Sequence, residues 1–344
     1  MNKIDNYFNE NYIIEPYKYN LIKSFTFNKE PKLILGIKND MYAYKSSDKN
    51  IKINRIKNNE YFEFKAHKEV YNLIIDENNK YLISLGSENL IKFWSINEIE
   101  KQLKEKNSNN IVEFFPSYEF KDENNAFELI NLENNLLCGN NAEFIFLYEY
   151  NIDKKNFKLI NKKKINENQK IHNLILIKRN NNKKFICCKI KNYLSIISVP
   201  GLNMIKQIKI SNWEYELFYY DQISEDKILL VGNKCLKIIS LNNYKNILTK
   251  KIYLNIMYLK KLKDNTILVG GRSEIKRFDL KNFSELPQLI DLSANYESLY
   301  DDEDFVGLNL DLENEDPKSI IEMSNGDILI ILKYRAKLFG IGDE

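Results

Sequence analysis

Residues Ala66 to Trp94 read AHKEVYNLIIDENNKYLISLGSENLIKFW, and this stretch decides the fold. An Ala66-His67 dipeptide precedes three short apolar runs, which are separated by a polar turn and by a Gly-Ser turn. Apolar runs of about four to eight residues bounded by Asn, Asp, Gly and Lys are typical of strands and not of helices. The stretch therefore predicts three consecutive strands.

The pattern of the second and third strands of this unit, a strand that reaches a turn and is followed by an alternating strand, recurs along the chain and predicts the same central pair of strands at each place. The occurrences are PKLILGIKNDMYAY (31–44), KYLISLGSENLIKFW (80–94), NLLCGNNAEFIFLYEY (135–150), KKFICCKIKNYLSIISV (183–199), KILLVGNKCLKIIS (227–240), NTILVGGRSEIKRFDL (265–280) and GDILIILKYRAKLFGI (326–341). The markers Gly36, Gly86, Gly139, Cys188, Gly232, Gly270 and Ile331 lie 50, 53, 49, 44, 38 and 61 residues apart. These seven occurrences predict seven units of one kind.

The order of small residue and His, strand, turn, strand, Gly turn and strand ending on Phe93-Trp94 resembles a repeat of the WD-repeat family. In the other six units the Trp position holds an aliphatic residue, Tyr or Phe, and Phe278-Asp279 comes nearest to the family's Trp-Asp ending. A four-stranded unit cannot bury both faces alone. The resemblance therefore implies a single all-β domain over residues 1–344, a seven-bladed β-propeller of four-stranded antiparallel blades.

The resemblance also implies a structural role for His67, Ser84, Glu88 and Trp94. In the family's best-formed repeats a His, a Ser or Thr, an Asp and a Trp make a buried hydrogen-bond chain that ties the loop before the first strand to the third strand. Glu88 stands where the family has Asp and is one methylene longer. We expect this role for His67 in preference to that of a catalytic base or ligand.

Two segments outside the regular repeat carry predictions of their own. The seventh unit stops one strand short, and we expect residues near Tyr12 to Tyr17 to supply the missing strand and close the ring, the alternative being a disordered tail. Residues Asn97 to Asn107 predict a short helix between the third and fourth strands of blade two.

Charge is segregated along the chain, although the net charge is only +3. Residues 282–317, between blades six and seven, contain eleven acids and no Lys or Arg, whereas Lys154 to Lys191 contains thirteen basic residues and one acid. Apolar residues alternate with the acids from Tyr296 to Leu312, and that mixture predicts docking, with carboxylates steering and aromatics anchoring. The segment would contact the Lys-rich surface of this ring or a basic groove on a partner; the alternative is a flexible loop.

Enzyme signatures are scarce, and we predict no catalytic, cofactor-binding or metal site. His67 and His172 are the only histidines, which leaves little material for a metal site or a Ser-His-Asp triad. The pair Gly270-Gly271 precedes an alternating strand and not a helix, so it predicts a turn and not a phosphate loop. The acidic segment lacks the central Gly of a calcium loop.

The remaining candidates are surfaces built by loops. The loops entering each first strand and the turns between second and third strands share one face of a propeller, and in the WD-repeat family partner proteins usually dock there. The predicted partner-binding residues are Lys121, Trp213, Arg272, Tyr300 and Phe305, with Asp122 and Glu123 displayed beside Lys121.

These observations favour a non-catalytic protein–protein interaction scaffold or adaptor, a subunit of a larger intracellular assembly. The alternatives are a propeller-type hydrolase with a carboxylate-lined central pocket, and a basic-patch adaptor that uses Lys154 to Lys191 to bind RNA or acidic lipid. No export signal and no apolar run of about 18 residues appears. We expect a cytoplasmic location, with the nucleus left open, and other protein subunits as partners; nucleic acid, membrane and small-molecule substrates are not expected.

Overall fold

The computed structural model describes residues 19–27, 31–38, 40–56, 60–105, 111–165, 171–179, 183–210, 217–232, 235–252, 258–270, 275–286, 318–323, 326–332 and 335–341. These residues form seven sheets, each built around four antiparallel strands. The prediction of a seven-bladed β-propeller is confirmed.

The first three blades contain most of the non-repeating structure. The first described strand, β1 (Tyr19–Thr26), belongs to blade seven. Blade one contains β2 (Lys32–Ile37), β3 (Met41–Lys45), β4 (Asn50–Arg55) and β5 (Glu60–Lys65). Blade two contains β6 (Val70–Ile75), β7 (Tyr81–Gly86) and β8 (Leu90–Ser95), then α1 (Ile96–Glu105), β9 (Ile111–Val112) and its outer strand β10 (Tyr118–Lys121). Blade three contains β11 (Glu128–Glu133), β12 (Leu136–Asn140), β13 (Phe144–Asn151) and β14 (Asn156–Lys164).

The last four blades follow the same inner-to-outer order. Blade four contains β15 (Ile171–Arg179), β16 (Lys183–Ile190), β17 (Tyr193–Ser198) and β18 (Met204–Lys209). Blade five contains β19 (Leu217–Ser224), β20 (Lys227–Gly232), β21 (Cys235–Ser240) and β22 (Asn246–Lys251). Blade six contains β23 (Tyr258–Lys261), β24 (Thr266–Gly270), β25 (Ile275–Asp279) and β26 (Glu285–Leu286), and blade seven contains β27 (Ser319–Glu322), β28 (Ile328–Ile331), β29 (Arg335–Ile341) and β1.

The core lies between the blades. Seven buried apolar clusters each draw side chains from two neighbouring sheets, so every blade buries both of its faces. The cluster between blades seven and one, for example, joins Tyr42 of β3 to Leu329 of β28. Burial of both faces explains why the second strands are almost continuously apolar, as in Ile228 to Val231.

Asparagine residues in the turns between strands adopt a left-handed backbone conformation. Asn79, Asn89 and Asn265 have φ values of 52°, 60° and 61°, and each lies in a turn beside a strand. Asn tolerates this left-handed conformation better than most residues. The Asn-rich turns of the sequence therefore allow tight reversals without many glycines.

Blade one corrects the predicted register of the repeat. Gly36 lies on β2, the first strand of its sheet, whereas the other six markers lie on second strands. The hairpin β2–β3 joins the first and second strands of its blade, but its sequence has the same strand, turn and strand pattern as a hairpin of second and third strands. The sequence pattern alone therefore does not distinguish the two kinds of hairpin. A Cβ on Gly36 would lie 2.6 Å from Cγ2 of Ile321, so glycine permits the close approach of blades one and seven.

The predicted helix between the third and fourth strands of blade two is confirmed as α1. Its buried side chains, Ile96, Ile99 and Leu103, join the cluster between blades one and two. The chain then adds β9 in parallel to β5 of blade one, with Val112 opposite Phe64. Within the described part of the chain, no helix is long and apolar enough to cross a membrane.

Blade seven takes its fourth strand from the other end of the described chain. The strand β1 pairs antiparallel with β29, from Tyr19 opposite Ile341 to Thr26 opposite Arg335. The segment predicted for this position, Tyr12 to Tyr17, lies outside the described residues. Most of the predicted acidic insertion, from residue 287 to 317, also lies outside them, and its first part ends in β26, the fourth strand of blade six.

Candidate functional site

The four residues of the predicted hydrogen-bond chain lie together in blade two. Nε1 of Trp94 donates to Oγ of Ser84 at 2.8 Å, and Nε2 of His67 lies 2.8 Å from the same oxygen. Nδ1 of His67 lies 3.0 Å from Oε1 of Glu88, whose other oxygen accepts from the backbone N–H of Lys68 at 3.1 Å. The longer Glu88 side chain thus reaches both donors.

The directions of these hydrogen bonds follow from the end groups. The indole of Trp94 can only donate and the carboxylate of Glu88 can only accept, so the Ser84 hydroxyl donates to Nε2 of a neutral His67, and Nδ1–H donates to Glu88. Burial lowers the pKa of His67, against the opposing effect of Glu88, and favours this neutral form. Every polar hydrogen in the chain then has an acceptor.

The local sequence makes room for this arrangement. A Cβ on Gly86 would lie 2.3 Å from Cγ of His67, so the last position of β7 requires glycine for the imidazole to fit. Trp94 packs against Phe64 with ring centroids 4.6 Å apart and against Phe114 at 5.8 Å. The hydrogen-bond chain is therefore enclosed on one side by the aromatic core between blades one and two.

This geometry leaves His67 without a free nitrogen. Its side chain has 0 % exposure, and both ring nitrogens are engaged. The thiols of Cys138 and Cys187 are also buried, and burial raises their pKa well above the usual value, which disfavours the reactive thiolate. The arrangement can hold a loop in place, but it does not offer a base and nucleophile pair.

Acidic side chains on the first strands are dispersed and not clustered. Glu133 pairs with Lys178 and Lys184, while Glu322 accepts from the backbone N–H of Lys263 at 3.1 Å. In the described ranges, no group of three or more His, Cys, Asp or Glu could hold a metal ion.

The loop 122–127 defines the surface that the structure offers for binding, which we call the loop face of blades two and three. It runs from the outer strand β10 to the inner strand β11, and so from the rim toward the axis. Lys121, at its rim end, is exposed, as predicted for a partner-binding residue. Whether Lys121 binds a partner stays a prediction.

Asp122 corrects the predicted display of this face, because it is buried and not presented to solvent. Its carboxylate accepts from the backbone N–H groups of Asn124 at 3.0 Å and Ala126 at 2.8 Å, and from the hydroxyl of Tyr148 at 2.8 Å. Asp followed by polar residues is a signal for such a turn, and it could have been recognised in the sequence. Asp122 thus fixes the loop that carries the exposed residues.

An exposed aromatic residue at the axis end was missed by sequence reasoning. Phe127 is 55 % exposed and packs edge-on against Tyr71 of the neighbouring first strand, with centroids 6.2 Å apart and the planes at 86°. Phe127 simply follows a polar loop, and nothing in the sequence separates it from a core residue. Its exposure becomes evident only when blades two and three are assembled.

Glu128, the next residue, carries a titratable carboxyl group between blades three and four. Its Oε1 accepts from the backbone N–H of Leu174 at 2.9 Å. Burial raises the pKa of Glu128 to about 7, and the backbone hydrogen bonds oppose this only in part. The charge on this inner strand therefore changes near neutral pH.

Four predicted partner-binding residues cannot be placed on this surface. Trp213, Arg272, Tyr300 and Phe305 all lie outside the described residues. Of the predicted partner-binding residues, the structure therefore places Lys121 on the loop face. It also brings together the four residues that were predicted to form the hydrogen-bond chain.

The known proteins that match this chain match its structure and not its sequence. No protein-family model matches the sequence, and no curated protein matches it. The WD40 β-propeller domain of Doa1 matches the structure with a TM-score of 0.65 and 12% sequence identity, covering 94% of this chain and 98% of that chain. This chain has the fold of a WD40 β-propeller domain. The β-propeller domain of Cps50 (Swd1) from Myceliophteria thermophila also matches, with a TM-score of 0.64 and 9% identity over 94% of this chain and 100% of that chain.

The WD40 fold and the geometry of blade two agree with each other. The hydrogen-bond chain joins the loop before β6 to the third strand β8, where the WD-repeat resemblance implied it. At identities of 12% and 9%, the likeness shows the fold alone. The role of this propeller must therefore be argued from its own surfaces.

Proposed function

We propose that this propeller is a non-catalytic scaffold or adaptor that binds other proteins through the loop face of blades two and three. The observation that carries the proposal is Phe127, a large apolar side chain that is 55 % exposed on a loop fixed by buried Asp122. A rigid exposed aromatic loses little conformational entropy on binding, and such residues are frequent interface hot spots.

The surroundings of Phe127 support a protein partner. Tyr71 extends the aromatic surface toward blade two, and the exposed Lys121 and Glu123 supply a polar rim of both signs. An apolar centre with a mixed polar rim is the usual anatomy of a protein interface. WD40 propellers typically serve as protein-interaction platforms, which agrees with this reading. We further propose a cytoplasmic location in a larger assembly.

The test is affinity capture from native lysate with quantitative mass spectrometry. We expect Phe127→Ser to reduce the recovery of specific partners by about ten-fold, the loss that a hot-spot residue causes. Phe115→Ser is the matched control, because Phe115 is 68 % exposed but lies between β9 and β10, away from the loop 122–127. A partner set that both variants recover equally well would refute binding through this face.

A further inference from the structure

The outermost strands of blades three, four and five contain a β-bulge with the same residue type. In β14, Leu159 and Asn161 pair with Tyr148 and Leu147, which leaves Ile160 without a partner in the ladder. In β18 the pairing skips Ile205, and in β22 it skips Ile247. Three successive blades thus place an isoleucine at a bulge.

The three bulges occupy equivalent positions. The third strands of blades four and five read LSIIS (194–198) and LKIIS (236–240), and the skipped residue faces the two adjacent isoleucines in both. In blade three the corresponding residues are Leu147 and Tyr148. The bulged isoleucine is therefore repeated at equivalent positions along the side of the propeller.

The bulged isoleucines are exposed. Ile160, Ile205 and Ile247 are 44 %, 48 % and 51 % exposed, and the adjacent Leu159 and Met204 are 38 % and 40 % exposed. A bulge twists the strand and protects a sheet edge from pairing with another chain, but that purpose does not require an apolar side chain. The three neighbouring bulges therefore leave a row of exposed aliphatic side chains on the side of the propeller, which is available to a binding partner.

All charged residues on the strands that carry these isoleucines are basic. We call β14, β18 and β22 the bulged wall; they contain four, two and two lysines and no acid or arginine. By contrast, the strands β5 and β10 on the sides of blades one and two contain Glu63 and Glu119. The wall therefore combines aliphatic side chains with one sign of charge.

Part of this charge is available to a partner. Lys162 lies over the ring of Phe144, 4.5 Å from its centroid, and is held by the protein. Lys158, Lys163 and Lys209 are exposed, and no acid of the described ranges lies within ion-pair distance of them. These three ammonium groups remain hydrated and face outward.

The chemistry favours an anionic lipid surface over nucleic acid or an acidic strand. Single-stranded nucleic acid is bound through stacking aromatics and arginine, but the one aromatic of the wall, Phe157, stacks within the protein on Tyr148 at 4.9 Å. An added protein strand would meet the bulges and lysines that block strand addition. Aliphatic side chains beside lysines match the interface of a bilayer, which combines acyl chains with phosphate groups.

We propose that the bulged wall lies on an anionic bilayer, with Ile160, Ile205 and Ile247 entering the interface and the lysines contacting lipid phosphates. Neighbouring blades are turned by a seventh of a circle, so the wall is convex and a flat bilayer comes closest at blade four. Ile205 therefore inserts deepest. The loop face remains uncovered, so this inference is independent of the proposed function.

The test is co-sedimentation of the full chain with vesicles. Vesicles of phosphatidylcholine with about three parts in ten of phosphatidylserine should bind the protein, whereas vesicles of phosphatidylcholine alone should not. The combined change Ile160→Ser, Ile205→Ser and Ile247→Ser should weaken binding by about ten-fold or more, and Ile205→Ser should be the most damaging single change. Lys158→Glu with Lys209→Glu should weaken it by a similar factor, and binding should fall as salt rises.

Ile111→Ser is the matched control, because Ile111 is 60 % exposed but lies on β9 beside blade one. It should bind like the unmodified chain, and all variants should show the same melting temperature. The inference is overturned if phosphatidylserine does not increase binding, or if the triple serine variant binds as well as the unmodified chain. Binding of a single-stranded RNA that depends on the lysines but not on the isoleucines, with no vesicle binding, would assign the wall to nucleic acid instead.

Discussion

Glu88 shows how a departure from the family's residue is accommodated at one position. Its two carboxylate oxygens serve His67 and the backbone N–H of Lys68. Burial alone would raise the pKa of Glu88, but hydrogen bonds and the neighbouring His67 lower it, so it is ionised at neutral pH. An ionised acceptor gives the chain one charge-assisted end.

The first prediction concerns Trp94, at the other end of the hydrogen-bond chain from Glu88. Trp94→Ala removes a buried indole that packs on Phe64 and Phe114, and should lower the free energy of unfolding by about 3 to 5 kcal/mol. His67→Ala should cost less, because a smaller side chain is lost, and should leave partner binding by the folded fraction intact. Urea denaturation and affinity capture measure the two effects. Loss of binding by His67→Ala at unchanged stability would contradict a structural role.

The second prediction concerns Glu128. Because its pKa is raised to about 7, the folded protein holds this proton more tightly than the unfolded chain, and the group's contribution to stability is lost as pH rises from about 4.5 through 7. Glu128→Gln, which stays neutral, should therefore be more stable than the unmodified chain at pH 8, by about 1 to 3 kcal/mol, and nearly equal to it at about pH 4.5.

Glu133→Gln provides the control of opposite sign. The hydrogen bond from Lys178 lowers the pKa of Glu133, so its contribution is present at neutral pH and is lost as pH falls through the lowered pKa. Urea denaturation of both variants across the pH range measures the two slopes. The same pH dependence for Glu128→Gln and the unmodified chain would show that Glu128 does not titrate in this window.

Single residues were predictable where a pattern fixed their neighbours. The set of His67, Ser84, Glu88 and Trp94 could be named from the resemblance to a WD repeat, which gives each residue a fixed place in the unit. Phe127 could not be named, because its exposure depends on the fit of two blades that are separate in the sequence.

At the scale of elements, α1 and β9 form an arm from blade two over blade one. The third prediction is that Leu103→Ala, which removes a buried side chain of this arm, costs about 2 to 5 kcal/mol in the free energy of unfolding. Lys104→Ala, one residue on and exposed, should change it by less than about 0.5 kcal/mol. Equal effects of the two substitutions in urea denaturation would show that the arm is not packed in solution.

Elements were predicted well where the period was regular. The helix could be read from Ile99 and Leu103 among charged residues, and the central hairpins of blades two to seven from their apolar runs. The hairpin around Gly36 was assigned to the wrong pair of strands, since hairpins within a blade share one local pattern. The added strand β9 is only two residues long, and its parallel pairing is a tertiary contact that no local signal specifies.

At the scale of the whole molecule, the fourth prediction concerns the amino-terminal strand. Removal of residues 1–27 takes away β1 and exposes the edge of β29, so the melting temperature should fall by several degrees or more. Removal of residues 1–18 alone leaves the pairing of Tyr19 with Ile341 in place and should have a small effect. A large fall for the shorter truncation would instead support the sequence prediction, which placed the strand at residues 12–17.

Blade seven also decides when the molecule can be completed during synthesis. Six blades are built from consecutive stretches, and each can form once its own strands have left the ribosome. Blade seven joins β1 to strands that begin at Ser319, so β1 waits unpaired while the other blades are made. Contacts of such long sequence separation form slowly. The docking of β1 on β29 is therefore the step at which a nascent chain is most exposed to strand exchange with another copy.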